Sequence, residues 1–260
     1  MKRNSICRQL MSVAIAIGLA IFTGSTFAQI NTNKQTKSSQ LLLATYFGQS
    51  SNPHVRPYAY LLSSAVWPSR RVYVCWDNPE AQYQTEMDLV RKSVADTWEK
   101  YSALTFVGWG KCANLNEGIR ITISDLGPYT RGLGRQLQLD GPQGKGYAPG
   151  GMVLNFTFNQ WSPSCQTPDK KAMCIRSIAI HEFGHAIGFS HEHNRPDRPG
   201  ECTKPPQGGN GDQLLTPYDK ESVMNYCFNI YNNELVLSKL DISAIRQIYG
   251  SEEDKFFTMK

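Results

Sequence analysis

The sequence lacks any hydrophobic run long enough to cross a bilayer. Its longest apolar stretch, residues 10–22, has about 13 residues, whereas a spanning helix needs about 20. This stretch follows a basic cluster (Lys2, Arg3 and Arg8) and is followed by small residues up to Ala28, which is typical of a cleavable secretory signal. We therefore predict a signal peptide over residues 1–28, export to an extracellular or periplasmic space, and no membrane anchor.

A strong charge of one sign is also absent. The chain has 27 basic and 22 acidic residues. Removal of residues 1–28 takes away three of the basic residues, so the formal charge falls from +5 to 24 − 22 = +2. Such a small excess gives no reason to expect nucleic acid or acidic lipid as a partner.

No C-x-x-C pair of the kind that marks a structural zinc site occurs in the chain. Six cysteines remain downstream of the predicted signal, and an even number in an exported chain predicts three disulfide bonds. Fifteen pairings are possible for six cysteines. Proximity along the chain favours Cys75 with Cys112, Cys165 with Cys174 and Cys202 with Cys227.

Residues 29–65 differ from the rest of the chain. They are rich in polar residues and keep neither a helical nor a strand period, so we interpret them as a leader or short pro-segment. We expect one globular domain over residues 66–250, a normal size for a single core, and a C-terminal tail over residues 251–260.

The hydrophobic periods of this domain alternate between strand and helix. Glycine and proline crowd the loop before residue 152, and Ser238 and Gly250 are a suitable N-cap and stop for the last helix. The sequence thus predicts an α+β fold with a small sheet and an irregular later part. The expected strands are 70–76, 104–109, 119–124 and 152–158, and the expected helices are 81–101, 174–188 and 238–250.

The stretch HEFGHAIGFSHEH, residues 181–193, holds four of the five histidines in the chain. On a helix His181 and His185 lie one turn apart on the same face, so both can bind one ion. Gly188 can end the helix and turn the chain back, which lets His191 approach the same ion. Three histidine ligands with a fourth position open to water are typical of a catalytic zinc site.

Glu182 follows the first of these histidines and would lie beside the open position, where a general base is needed. Histidines on a helix often have only a structural role, and the short pattern H-E-x-x-H also occurs by chance. The longer pattern H-E-x-x-H-x-x-G-x-x-H is far more specific. We therefore predict a Zn²⁺ ion held by these three histidines.

The zinc-binding stretch resembles the signature of the metzincin metallopeptidases. SVMNY, residues 222–226, resembles the Met-turn of that family, and the resemblance implies that Met224 lies beneath the metal. The fold implied is a zincin domain with a small twisted sheet, an active-site helix and an irregular C-terminal subdomain. The resemblance covers roughly residues 66–250.

Within the metzincins, the sequence resembles astacins and has some features similar to matrixins. The glutamate after the third histidine and the basic and acidic residues that follow it match the astacin pattern; these are Glu192, Arg195, Asp197 and Arg198. Tyr226 matches the astacin tyrosine beside the zinc, whose hydroxyl would stabilise an oxyanion. The loop around Asp140 and the last helix are similar to matrixins, but the loop lacks the ligands of their second zinc site, and a solvated turn is the simpler interpretation of Asp140.

These observations predict a secreted zinc metalloendopeptidase in which Glu182 is the general base. We expect it to be a monomer that acts on a protein or peptide substrate. The strand at 152–158 is either an edge strand that pairs with the substrate, as the resemblance implies, or an edge strand with a purely structural role. Two other functions remain open. The first is that of a catalytically silent secreted binding module of the same fold. The second is that of a zinc amidase that acts on cell-wall peptides.

Overall fold

The computed structural model describes residues 59–113, 118–138, 151–227 and 236–258. The predicted signal peptide, most of the predicted leader and the loop around Asp140 lie outside the described residues. The described residues combine a mostly parallel sheet with helices, so the predicted α+β class is confirmed.

The sheet has five strands. They are β2 (Arg71–Trp76), β3 (Thr105–Lys111), β4 (Ile119–Ile123), β5 (Tyr129–Thr130) and β6 (Met152–Leu154), in the spatial order β3-β2-β4-β6-β5. The first four of these in space run parallel, whereas β5 pairs antiparallel with β6. The buried residues of the central strands are mostly branched aliphatic ones, as expected for a sheet covered by helices.

One predicted feature of the sheet is wrong. The strand at 152–158 spans only Met152–Leu154 and has a neighbour on each side, β4 and β5. It is therefore not an edge strand, and among the described strands β5 occupies that edge instead. The β6 segment stops early because the Asn155 side chain turns the chain: its Oδ1 accepts from the backbone N–H groups of Thr157 and Phe158.

Two helices pack beside the sheet. Helix α1 (Gln84–Val94) continues into a π-helical segment, Ala95–Glu99, and helix α2 spans Pro168–Ala186. Trp98 joins them, since its indole N–H donates to the carbonyl of Ile180 at 2.8 Å. Helix α2 begins earlier than the predicted residue 174 because Pro168 occupies its first turn, where its missing N–H costs nothing.

The last helix has the predicted bounds. Helix α3 spans Lys239–Tyr249, with Ser238 as N-cap and Gly250 as C-cap. The Ser238 hydroxyl accepts from the Asp241 backbone N–H at 2.9 Å, and the Asp241 carboxylate accepts from the Ser238 backbone N–H at 3.1 Å. This reciprocal pair is a capping box.

The three disulfide bonds favoured by sequence proximity are all present: Cys75–Cys112, Cys165–Cys174 and Cys202–Cys227. Each closes a local loop, with sequence separations of 37, 9 and 25 residues. Within the described part of the chain, no helix combines the length and apolar character needed to span a bilayer.

A short strand upstream of residue 66 packs into the later half of the chain. Strand β1 (Tyr60–Leu61) pairs antiparallel with β7 (Gln213–Leu214). On its other side, its backbone bonds to the chain just after α2: Ser190 N–H donates to the Tyr60 carbonyl at 2.8 Å, and Leu62 N–H donates to the Gly188 carbonyl at 3.0 Å. The packed structure therefore extends upstream of the predicted domain start, and β1 holds the segment that leads to His191.

We expect a chain that begins at Val66 to be less stable than one that begins at Ala59, by at least about 3 kcal/mol. The shorter chain loses four backbone hydrogen bonds to Gly188, Ser190, Asp212 and Leu215, each with a net value of about 1 kcal/mol, together with the burial of Leu61. Urea unfolding of both chains measures the difference. Equal unfolding midpoints and slopes for the two chains would show that β1 contributes nothing to the free energy of unfolding.

Candidate metal centre and active site

Helix α2 places two histidines on one face, and the turn after it returns a third. Helix α2 ends at Ala186, and Gly188, two residues later, has φ 110°, a conformation that glycine adopts without strain. The backbone N–H of Phe189 donates to the Gly184 carbonyl at 3.0 Å and so closes the helix end. The chain then reverses, and His191 faces His185.

The Nε2 atoms of the three histidines converge. His191 Nε2 lies 3.2 Å from that of His181 and 3.1 Å from that of His185. All three side chains are buried, and their nitrogen atoms lie within 4.8 Å of one another. The structure therefore brings together the three predicted ligands.

A backbone carbonyl fixes the orientation of each ring. Each Nδ1–H group is in position to donate to one carbonyl oxygen, at 2.7–2.9 Å; the acceptors are Val223 for His181, Phe189 for His185 and Gln207 for His191. With Nδ1 protonated, the neutral ring carries a lone pair on Nε2. All three lone pairs thus point into the same space.

These residues fit a zinc ion. Burial lowers the pKa of His181 to about 3 and holds the pKa of His185 and of His191 below the usual value, so the rings are neutral at physiological pH. Tetrahedral zinc binds imidazole nitrogen at about 2.0–2.1 Å, which separates two ligand nitrogens by about 3.3 Å. The observed 3.1–3.2 Å is close to that spacing. Three buried acceptors without a shared cation would be costly, and zinc satisfies all three.

Met224 lies beneath the histidines. It is 3% exposed and packs against Gly184, between the two histidines of α2. A Cβ at Gly184 would collide with the Met224 sulfur and would lie 3.2 Å from the Trp98 ring. The Met224 carbonyl accepts from the Glu192 N–H at 2.9 Å. The glycine of H-E-F-G-H thus leaves room for the methionine that the sequence places below the metal.

Glu182 lies in the same cleft. It is 3% exposed, and burial raises the pKa of its carboxyl to about 7, against the lowering effect of a hydrogen bond from Thr130. The Thr130 hydroxyl lies 2.7 Å from Glu182 Oε2. A carboxyl group whose pKa is near neutrality is suited to accept and return a proton.

Tyr226 reaches the centre from the Met-turn. Its hydroxyl lies 2.9 Å from His181 Nε2, and its ring stacks on the His181 ring with the centroids 4.9 Å apart. The phenol is therefore close enough to touch a group bound at the histidine cluster.

A cleft of about 320 Å³ opens above these residues. Residues 128–133, which include β5, form one wall, and residues 207–209 form the other. Glu182, His185, His191 and Tyr226 lie between the walls. An extended chain fits such an open groove between two backbone segments.

Asn194, which the sequence did not single out, holds the second wall. Its amide nitrogen donates to the Gln207 carbonyl at 2.7 Å, and its Oδ1 accepts from the Gln207 N–H at 2.9 Å. The same Gln207 carbonyl accepts from His191. Ser190 adds a bond from its hydroxyl to the Gly209 carbonyl. Nothing in the spacing of Asn194 and Gln207 indicates this contact, because the loop between them has no regular period.

Two residues of the predicted astacin pattern, Glu192 and Arg195, form a buried ion pair. Arg195 is 1% exposed and donates to Glu192 Oε1 at 2.9 Å, to both oxygens of Asp197 and to the Thr216 carbonyl. Arg198 donates instead to the carbonyls of His193 and Lys204. These side chains do not line the cleft, so they brace the loops that carry the site.

Comparisons with known proteins match this region. A family model described as Astacin, a peptidase family, matches residues 170–202. Bone morphogenetic protein 1 of Xenopus laevis is 34% identical over 91 residues, which cover 28% of this chain and 13% of that protein. Astacin-like metalloendopeptidase of Gallus gallus is 30% identical over 112 residues, which cover 31% of this chain and 27% of that protein. The match thus spans about an eighth of the first relative.

Two solved structures are also similar to this chain. The structure of myroilysin has a TM-score of 0.49 at 20% identity, covering 73% of this chain and 98% of that chain. The structure of high choriolytic enzyme 1, a hatching enzyme zinc-protease from Oryzias latipes, has a TM-score of 0.45 at 21% identity, covering 73% of this chain and 96% of that chain.

We expect Gly184→Ala to lower the free energy of unfolding by about 1–3 kcal/mol through overpacking against Met224. In an open helix the same change would stabilise by about 1 kcal/mol, so the sign of the effect is diagnostic. Thermal unfolding measures it. Met224→Ala should relieve the collision in the double variant. If the losses in free energy of unfolding of the two single variants simply add in the double variant, Gly184 and Met224 are not in contact.

We expect Asn194→Ala to weaken zinc binding by about 10-fold, because it frees the loop whose carbonyl orients His191. Zinc competition with a chromophoric chelator measures the change. Asn210→Ala is the matched control: it removes another Asn194 contact but leaves both bonds to Gln207. Equal zinc affinity in the two variants would show that the hydrogen bonds between Asn194 and Gln207 do not contribute to zinc binding.

Proposed function

We propose that the chain is an astacin-like metzincin and a zinc-dependent endopeptidase. The family-model match over residues 170–202 and the three convergent histidines support this proposal. The convergence of three buried Nε2 atoms beside Glu182 in an open cleft is the observation that carries the proposal. In this proposal His181, His185 and His191 hold the metal, and Glu182 and Tyr226 are the catalytic residues.

Zinc in this position supplies Lewis-acid chemistry: it polarises a carbonyl and lowers the pKa of water toward about 7. Glu182 takes a proton from the attacking water and returns it to the nitrogen of the leaving amine, so that one C–N bond breaks as one C–O bond forms. Its buried position and near-neutral pKa suit both transfers.

Tyr226 would stabilise charge on the substrate. Its hydroxyl, 2.9 Å from His181 Nε2, is close enough to donate to the oxygen of the scissile carbonyl as negative charge develops there. Its ring is held by stacking on His181 and by tilted contact with His191, with centroids 4.5 Å apart in the second pair.

The substrate would be an extended peptide. Strand β5 occupies the sheet edge beside the cleft, and an edge strand offers free backbone groups to a second strand. We propose that the peptide pairs along β5, in place of the strand at 152–158.

Export is part of the proposal. The predicted signal at residues 1–28 and three disulfide bonds suit an oxidising compartment. The domain limits at residues 66–250 and the monomeric state also remain predictions of the sequence.

A silent binding module would not need an oriented Glu182, and a cell-wall amidase would use the same zinc chemistry on a different substrate.

We expect Glu182→Gln to keep zinc and to lower turnover by about 10²–10⁴-fold, because the amide cannot accept the proton. Zinc content and cleavage of a peptide library measure both effects, with Glu80→Gln, at an exposed carboxyl, as the control. A chelator should abolish cleavage, and zinc should restore it.

A zinc-loaded wild-type chain that cuts no member of the library would contradict the endopeptidase proposal. If that chain releases peptide from peptidoglycan instead, the amidase function replaces it. If neither substrate is cut, the binding-module function is favoured.

A further inference from the structure

Thr130, which lies in the cleft wall formed by residues 128–133, contacts Glu182. Its hydroxyl lies 2.7 Å from Glu182 Oε2 and 3.1 Å from the Glu182 backbone carbonyl. A threonine hydroxyl has a single hydrogen, so the two acceptors compete for it. The shorter distance and the charge of the carboxylate favour Oε2.

This contact leaves one carboxylate oxygen for the reaction. With Oε2 engaged by Thr130, rotation of the carboxylate is restrained and Oε1 is the oxygen left to accept a proton. No other hydrogen bond to the Glu182 carboxylate occurs among the described residues. A base held by one donor keeps its orientation without being neutralised by a nearby cation.

The backbone of Thr130 is fixed by the sheet. Thr130 is in register with Met152 and Tyr129 with Val153 across the β5–β6 pair, and the Arg131 N–H donates to the Gly151 carbonyl at 2.8 Å. The hydroxyl therefore projects from a paired strand, and it can orient Glu182 without first being ordered itself.

We propose that Thr130 is a positioning residue, whose hydroxyl orients Glu182 and links the edge strand on which the peptide lies to the proton transfer. This inference rests on the proposed endopeptidase function. Because peptide pairing along β5 engages the backbone that carries Thr130, a bound peptide and a correctly oriented base stabilise the same position of β5.

The test compares Thr130→Val with Thr130→Ser. Valine keeps the branched shape that suits a strand but has no hydroxyl, whereas serine keeps the hydroxyl. Thr122→Val is the matched control, because Thr122 lies on β4, which β6 separates from β5, and donates to Asp77 at 3.0 Å, away from the cleft. Thr130→Ala repeats the test with a smaller side chain, should valine disturb β5.

We expect Thr130→Val to lower kcat by about 10- to 100-fold while KM changes by less than about 3-fold, and zinc content and Tm stay near wild type. Thr130→Ser should restore most of kcat, and Thr122→Val should leave it unchanged. The measurement is steady-state cleavage of a quenched peptide that the wild-type chain cuts.

Wild-type kcat in both Thr130→Val and Thr130→Ala would overturn the inference and leave the endopeptidase proposal intact. A loss in Thr130→Ser as large as that in Thr130→Val would also overturn it, since the hydroxyl would then be irrelevant. Absence of cleavage by the zinc-loaded wild-type chain would instead refute the proposed function, and the inference with it.

Discussion

Three unprotonated imidazole nitrogens in a buried space are the constraint on which the rest of this structure depends; that of His191 lies 3.1–3.2 Å from each of the other two. Each is an acceptor with its lone pair turned toward the others, and the Tyr226 hydroxyl beside His181 Nε2 cannot satisfy three costly buried acceptors with its single hydrogen. Protonation of the rings is no remedy, because burial lowers the pKa of all three. A divalent cation satisfies the three acceptors together. Folding and metal binding are therefore coupled, since an ion that binds only the folded chain stabilises it by mass action.

The carbonyls that orient the rings come from segments with little regular structure. His181 depends on the Val223 carbonyl in the Met-turn, and that turn is held by Asp241 of α3, whose carboxylate accepts from the Ser222 hydroxyl and the Val223 N–H. The same carboxylate closes the capping box of α3 with Ser238. One buried acid thus joins a helix start to a metal ligand. The irregular C-terminal part is specific because side chains, rather than a backbone ladder, fix its course.

Local patterns made much of the fold and of the centre predictable from the sequence. The spacing of His181 and His185, the helix-ending Gly188 and the caps of α3 act within a few residues, and each predicted feature is found in the structure. Contacts between distant segments were not predictable. Thr130 meets Glu182 across 52 residues, and β1 pairs with a strand about 150 residues downstream. No period or spacing encodes such pairings, because they depend on how whole elements pack. The edge position was misassigned to β6 for the same reason.

Both walls of the cleft are hydrogen-bonded to a residue of the site. Each is a backbone segment that reaches the reacting groups through a single hydrogen bond: Thr130 of one wall donates to Glu182, and Gln207 of the other accepts from His191. In the proposed endopeptidase, a peptide that pairs with either wall would therefore engage the same backbone that orients Glu182 or His191. Binding energy gained along the peptide, far from the scissile bond, can in this way improve the geometry of the chemistry. The first wall is anchored to the sheet, whereas the second is held by hydrogen bonds to the side chains of Ser190, His191 and Asn194 and not by a backbone ladder. Adaptation to different peptides should therefore occur mainly on the side of residues 207–209, while Thr130 keeps the base in place.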